Sequence, residues 1–289
     1  VMRNPGRYVE LDTELPLTLL DQREAGKKLA LITNSDWEYT KVMMSHVFDP
    51  FLPKDIRWRD LFDVILVDAR KPSFFTQSMP LYEIVTEDGL LRPSMRLKNG
   101  RIYSGGSAEM VEKLFGVHSE SVCYIGDHIF TDVNVAKAKM RWKTVLILRE
   151  LEDEVSAAAS GKEEYERLLL LLKRKDRFAN VLNHLRTELN RHNMGRASIV
   201  DKMQPKEIDV AISRLLVSIV DIEAQINPFL FTLGSHFNVN WGYVSRSGLV
   251  DKSHLMRQIE KYADLYTSRV SNFLRYTPYH YFRSSQLSL

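Results

Sequence analysis

The stretch Cys123-Tyr124-Ile125-Gly126-Asp127-His128-Ile129-Phe130-Thr131-Asp132 decides the fold. Val122 to Ile125 is a short apolar run rich in β-formers, and Gly126 closes it where a residue without Cβ lets the backbone turn tightly. Asp127 then stands where the tip of a parallel strand would present it. Asp132 comes one turn into Thr131 to Ala138, which reads as a helix. Open α/β sheets bind ligands outside the carboxyl ends of their strands, and paired acids there can hold a hard cation through oxygen ligands. Asp after Gly at a strand end is also an ordinary helix N-cap, and taken alone Gly126-Asp127 favours that structural role.

Working outward, the neighbouring segments repeat the pattern. Lys143 to Leu148 is a further buried strand on the C-terminal side. Upstream, Pro16 to Gly26 reads as a helix and Lys28 to Ile32 as a compact apolar strand ending in Thr33-Asn34-Ser35. Hydroxyl and amide groups there, with free N–H groups as the next helix starts, suit an anion such as phosphate, and equally suit a cap for the helix Trp37 to Val47. A second strand, Val64 to Val67, ends in Asp68-Ala69-Arg70-Lys71-Pro72, where the compact charge of Lys71 can clamp a phosphate or simply be solvated. Asn99-Gly100 predicts a hairpin within Arg92 to Tyr103, as an excursion from the main sheet. Ser104-Gly105-Gly106-Ser107 caps a helix ending near Gly116. The alternation from Leu29 to Leu148 predicts an α/β fold with a doubly wound, parallel, Rossmann-like sheet over residues 1–150.

Composition narrows the class. The 289 residues suffice for one large or two ordinary domains, and the 44% hydrophobic and 27% charged fractions are those of a folded globular protein. The net charge of +3 and a pI near 8.8 arise without a basic block, so no nucleic-acid partner is expected. Cys123 reads as a small buried hydrophobe, and as the one cysteine it forms no disulfide framework, which fits a reducing, cytoplasmic setting. The longest apolar run, Leu168 to Leu172, is too short to span a bilayer, so no membrane partner is expected. The histidines show no His-x-x-x-His or similar pairing, so zinc has no evident home. The chain opens with Val1 in place of Met, which reads as a fragment or a processed product.

Residues 151–289 read as a mainly helical region packing on the core. Glu163 to His192 carries an apolar stripe of Leu168, Leu171, Leu172, Phe178, Val181, Leu182 and Leu185. Pro205 to Gln225 carries Ile208, Ala211, Ile212, Leu215, Leu216 and Ile219. Both stripes are expected to be core, with a subunit interface as the alternative. Lys261 to Phe282 is crowded with aromatics interleaved with Arg269, Arg275 and the following Arg283, at a helical spacing that favours packing over nucleic-acid stacking.

Taken together, Thr33-Asn34-Ser35, Asp68-Ala69-Arg70-Lys71-Pro72 and Gly126-Asp127-(x)4-Asp132, each at a strand end or just beyond it, resemble the second, third and fourth motifs of the haloacid dehalogenase-like phosphatases. The surrounding words, Thr33-Asn34-Ser35-Asp36 with Tyr39-Thr40, Val64 to Pro72 with Phe74-Phe75, Tyr103-Ser104-Gly105-Gly106-Ser107 and Tyr124 to Phe130, are similar to the cytosolic purine 5′-nucleotidases that prefer IMP and GMP. Arg246-Ser247-Gly248 and Tyr262-Ala263-Asp264-Leu265-Tyr266 extend the likeness, which is weakest across Glu150 to Asn240.

The resemblance implies hydrolysis of a purine nucleoside 5′-monophosphate through a phospho-aspartate, with Mg2+ between phosphate and carboxylates. A dianionic phosphoryl group repels a carboxylate nucleophile, so a cation must lie between them. Carried over, Asp127 is a magnesium ligand and Asp132 a second metal-site acid that orients a bound water or the lysine. Thr33 and Asn34 bind phosphate oxygens with Ser35 nearby, Lys71 neutralises spreading charge, and Phe130 matches an effector-site position. The family tends to be oligomeric, so a homo-oligomer is a further expectation, with the aromatic tail as a contact. One departure is large. The family's first motif, Asp-x-Asp after an apolar strand, is absent, and Asp12-Thr13-Glu14 is its nearest approach. Truncation explains this most simply, and it predicts a haloacid dehalogenase-like sheet lacking its nucleophile strand, with a gap or an abnormal pairing between the strands at Leu29 to Ile32 and Val122 to Ile125. A catalytically inactive relative acting as an interaction or regulatory module, and a phosphatase of this fold with another phospho-substrate, are the alternatives.

Overall fold

The computed structural model describes residues 1–160, 162–196, 203–235, 243–247 and 251–282. Arg283 and Gly248, which figured in the motifs above, lie outside them. The chain divides into two compact units, one of residues 1–149 with the segment from Arg257 onward, the other Glu150–Met256.

In the first unit, α1 (Leu15–Glu24) precedes β1 (Ala30–Ile32), α2 (Trp37–Phe48) and β2 (Val64–Val67). Next come α3 (Ser73–Thr76), β3 (Leu81–Ile84), β4 (Leu91–Ser94), β5 (Arg101–Gly105) and α4 (Ala108–Phe115). β6 (Cys123–Gly126) leads into two π-helical segments, Ile129–Asn134 and Ala136–Met140, then β7 (Lys143–Ile147). The stretch read as an α-helix from Thr131 to Ala138 is therefore helical but wound more widely, a form that recurs at functional sites.

The strands form two sheets, which part at the gap expected between β1 and β6. β1, β2 and β5 run parallel and are extended by the antiparallel strands β3 and β4, in the order β1-β2-β5-β3-β4. β6 and β7 run parallel with a third strand, β10 (Leu265–Thr267). β1 and β6 each end a sheet, and no ladder joins them. Each therefore offers one unpaired strand edge. Asn99-Gly100 does not close a hairpin. Gly100 N–H donates to the Asp63 carbonyl at 2.6 Å, which ties this turn to the start of β2 and sends β5 along it in parallel. The hairpin is β3–β4, closed by Val85 N–H donating to the Leu90 carbonyl at 2.9 Å, and these strands widen the sheet instead of leaving it.

β2 explains why the first sheet is buried on both sides. Val64 and Leu66 face a core with Phe74, Phe75, Tyr103 and Val111, while Ile65 and Val67 face another with Leu20, Trp37, Phe48, Trp58 and Leu61. A strand covered on both faces needs the continuous apolar run Val-Ile-Leu-Val. The first core also holds Tyr124, Ala136 and Trp142, and Phe75 meets the rings of Tyr124 and Trp142 edge-on at 5.1 and 5.8 Å. Side chains thus join the two sheets where backbone does not. Cys123, expected to be buried, is exposed, because only the Tyr124 and Gly126 side of β6 meets the core.

The second unit contains α5 (Leu151–Ser160), α6 (Lys162–Asn193), α7 (Pro205–Ser235) and the short pair β8 (Arg246–Ser247) and β9 (Asp251–Lys252). α6 and α7 pack through Leu168, Ile222 and Ile226, joined by Tyr165, Leu171, Leu172, Phe178 and Phe229. Val181 and Leu216, placed in the core by periodicity, are instead exposed over 49% and 40% of their surface. α8 (His254–Tyr262) then leads to β10 (Leu265–Thr267) and a 3-10 turn at Val270–Arg275. The aromatic segment is thus helical only to Tyr262, because beyond it the chain gains more by adding a parallel strand to β7. Among the described residues, no helix is long and apolar enough to cross a membrane.

Asp264 holds that returning strand. Its carboxylate accepts from Thr144 N–H at 2.9 Å, the Thr144 hydroxyl at 3.1 Å and the Lys137 ammonium at 2.7 Å. Partial burial pushes this carboxyl up, but the Lys137 charge and the Thr144 donors outweigh burial and hold it below the ordinary 3.8. A depressed carboxyl stabilises the fold above its unfolded value and loses that contribution as pH falls through the folded one. Asp264→Ala, which strands the buried Thr144 donors, is expected to cost about 1–3 kcal/mol at neutral pH in urea unfolding. The difference from wild type should shrink in strong acid by the part that depends on the carboxylate charge.

Candidate functional site

The loops after β1 and β2 are stitched together before any side chain takes part. Thr33 N–H donates to the Leu66 carbonyl, Ala69 N–H to the Thr33 carbonyl and Asp68 N–H to the Ser35 carbonyl, each at 2.9 Å. The Thr33 hydroxyl oxygen accepts from Ser35 N–H at 3.1 Å, which leaves its own proton to donate. Asp36 caps α2 by accepting from Tyr39 N–H at 2.8 Å, so Thr33, Asn34 and Ser35 are not consumed as caps. Asn34 grips the Lys71 peptide from both sides. Its amide donates to the Lys71 carbonyl at 3.2 Å and its oxygen accepts from Lys71 N–H at 2.6 Å. Asp68 and Arg70 flank this grip with φ of 47° and 56°, left-handed values that cost a non-glycine residue energy and gather at functional sites.

Lys71 reaches from this loop cluster across to the second sheet. Its ammonium lies 3.0 Å from Asp132 Oδ1 and donates to the Tyr124 hydroxyl at 3.0 Å. The Tyr124 hydroxyl in turn donates to Asp132 Oδ1 at 3.2 Å, closing a triangle. Burial first, and the Asp132 charge second, hold the Tyr124 phenol far above its ordinary value, so it keeps its proton. Asp132 is only 2% exposed, and its other oxygen accepts from His128 N–H at 3.3 Å. Gly126 is required by this acid and not by a left-handed turn, since a Cβ there would stand 2.7 Å from the Asp132 Cβ.

Asp127 is exposed at the tip of β6. The helix that follows is capped by His128, whose Nδ1 accepts from the N–H groups of Phe130 and Thr131 at 3.3 and 3.1 Å. The capping role that the sequence offered to Asp127 is therefore filled by its neighbour. Among the described residues, no hydrogen bond or ion pair engages the Asp127 carboxylate. Phe130 is exposed on the same turn, 6.5 Å from the His128 ring and 6.2 Å from that of Tyr262.

The model of the 5′ nucleotidase family matches residues 1–289, which is the entire chain. The chain belongs to the 5′-nucleotidase family. It is similar to a 5′-nucleotidase domain-containing protein of Dictyostelium discoideum, 27% identical over 263 residues, a match covering 89% of the chain and 39% of that protein. The chain thus spans about two fifths of the length of this curated relative.

In this member of the 5′-nucleotidase family, Asn34, Lys71 and Asp132 are in one connected network, to which Thr33 is joined through the backbone of the paired loops. Asp127 stands five residues from Asp132 in the same strand-to-helix turn. Tyr124 and His128 were not singled out in the sequence, where one passed for a β-former and the other for an isolated histidine. The available signal was Tyr124 sharing a strand face with Gly126, the face that meets Asp132. As to a metal, no group of three or more His, Cys, Asp or Glu is arranged to hold one among the described residues. Magnesium, however, is commonly held by one or two carboxylates, with water and substrate phosphate completing its shell. The free Asp127 carboxylate fits that pattern, whereas both Asp132 oxygens are engaged within the protein.

Removing Lys71 leaves Asp132 charged and buried. Lys71→Met is expected to destabilise the chain by about 3–5 kcal/mol, as breaking one half of a buried ion pair does. Lys71→Met with Asp132→Asn should recover part of that loss, as thermal or urea unfolding of both variants will show. A double variant no more stable than Lys71→Met would mean that the pair is not coupled.

Proposed function

We propose that this chain forms part of a magnesium-dependent phosphatase of the haloacid dehalogenase-like kind, which hydrolyses purine nucleoside 5′-monophosphates of the IMP and GMP type in the cytoplasm. The observation that carries the proposal is the Lys71–Asp132–Tyr124 triangle, joined through Asn34 to the Thr33 loop and standing beside an unengaged Asp127. Asp127 would hold Mg2+, which supplies charge neutralisation between the phosphoryl group and an attacking carboxylate. Lys71 has three ammonium protons, two of them directed to Asp132 and Tyr124, so one remains for a phosphoryl oxygen. Thr33 adds its free hydroxyl proton and Asn34 keeps the lysine peptide in place, with Ser35 at the edge of the same loop. Asp132 orients Lys71, both of its oxygens being engaged within the protein. Phe130, exposed on the turn, would be the effector-facing residue.

The chain contains no Asp-x-Asp, and β1 and β6 each have an open edge. We assign the nucleophile to a strand outside this chain that pairs with both edges and forms the phospho-aspartate. The same absence of a nucleophile favours a second reading, in which the family member is inactive and serves as an interaction module.

Calorimetric titration of Mg2+ and of inorganic phosphate separates binding from turnover. The chain is expected to bind Mg2+, to lose that binding in Asp127→Asn, and to bind phosphate about tenfold more weakly in Lys71→Met. It should release no phosphate from IMP. Turnover that Asp127→Asn abolishes would place the nucleophile inside the chain, and an absence of any Mg2+ binding would remove the basis of the reading. Once a segment bearing Asp-x-Asp is supplied, a panel of phosphoesters tests the purine preference, and continued inactivity would favour the interaction module.

A further inference from the structure

The helix α7 has an apolar face that its packing on α6 leaves unused. Ile222, Ile226 and Phe229 meet α6, and Ile208 is fully buried. Roughly 180° around the helix, at 100° per residue, lies a second stripe of Val210, Ser213, Val217, Val220 and Ala224. Its spacing alternates three and four, the a and d positions of a heptad. Val210, Val217 and Val220 are 51%, 63% and 61% exposed, and Leu216 beside them is 40% exposed. Three bare valines in register on a preformed helix are costly to leave in water.

The charges beside the stripe indicate what covers it. Arg214 and Asp221 occupy successive e positions, both exposed, and neither side chain is paired among the described residues. In an antiparallel coiled coil, e positions face e positions. We propose that this face of α7 pairs with the same face of a second copy of this chain, antiparallel about a two-fold axis at Val217. That axis sets Val217 against itself and Val210 against the partner subunit's Ala224. Arg214 then lies within about one helical rise, 1.5 Å along the axis, of the partner subunit's Asp221, and symmetry makes that pair twice. Leu216 meets the partner subunit's Leu216, whereas a parallel pairing would set it against an aspartate. The one like-charge approach, Asp209 toward the partner subunit's Glu223, is relieved because Lys175 of the same hairpin already holds Glu223 at 2.7 Å. A stripe this short would not pair two isolated helices, but α7 is already ordered by α6, so its folding entropy is not a cost of association. The inference is independent of the phosphate-site reading.

Sedimentation velocity of the chain over a range of concentrations tests it. The wild-type chain is expected to dimerise, and Val217→Glu to be monomeric with unchanged helical circular dichroism, since Val217 touches little in the monomer. Arg214→Asp and Asp221→Arg should each weaken the dimer by about tenfold through like-charge contact, and the double reversal should restore it. A wild-type chain that stays monomeric at high micromolar concentration would overturn the proposal. So would a dimer that Val217→Glu leaves intact, or a double reversal no stronger than the single variants.

Discussion

A buried ammonium–carboxylate contact, Lys71 Nζ to Asp132 Oδ1 at 3.0 Å, is where the two sheets of the first unit are held in register. No backbone ladder crosses between β1 and β6, so their relative placement rests on side chains. The aromatic contacts of Phe75 with Tyr124 and Trp142 supply apolar adhesion, which is strong but tolerant of sliding. The charged pair is not tolerant, because either group left alone in that interior would be desolvated without compensation. Tyr124 tightens the constraint by bonding both members, and His128 N–H occupies the oxygen that Lys71 does not.

The same constraint shapes the chemistry of the site. Asn34 fixes the peptide from which Lys71 extends, so the ammonium is delivered from a rigid loop pair, and Asp132 is delivered from a π-helical turn behind Gly126. Both charged groups are thereby pre-positioned before any ligand arrives, which is the condition for electrostatic stabilisation without reorganisation. Asp127, one residue past Gly126, escapes this network because His128 takes over the cap.

Much of the first unit could be read from local pattern. β2 announces itself as Val64-Ile65-Leu66-Val67 because a strand covered on both faces must be apolar throughout, and α4 ends at Gly116 as expected, since its φ of 63° suits glycine. The misreadings have a common cause. Asn99-Gly100 is a strong hairpin signal, yet the Gly100–Asp63 hydrogen bond, which joins residues 37 apart in sequence, redirected the strand that follows. Tyr262 to Phe282 kept a helical spacing of aromatics but yielded to the open edge of β7. Val181 and Leu216 fit their stripes by period but sit at the flank of a two-helix contact too narrow to cover them.

By itself, the sequence determined which residue types could act on a phosphate and where along the chain they follow strands, because both are local properties of spacing and side-chain chemistry. Only the tertiary structure decided that Asn34, Lys71 and Asp132 share one network, that His128 and not Asp127 caps the turn, and that Tyr124 belongs to the site. The network and the place of Tyr124 in it depend on distances between segments 37 to 98 residues apart in sequence, set by how two sheets pack, and periodicity within a segment carries no information about that packing.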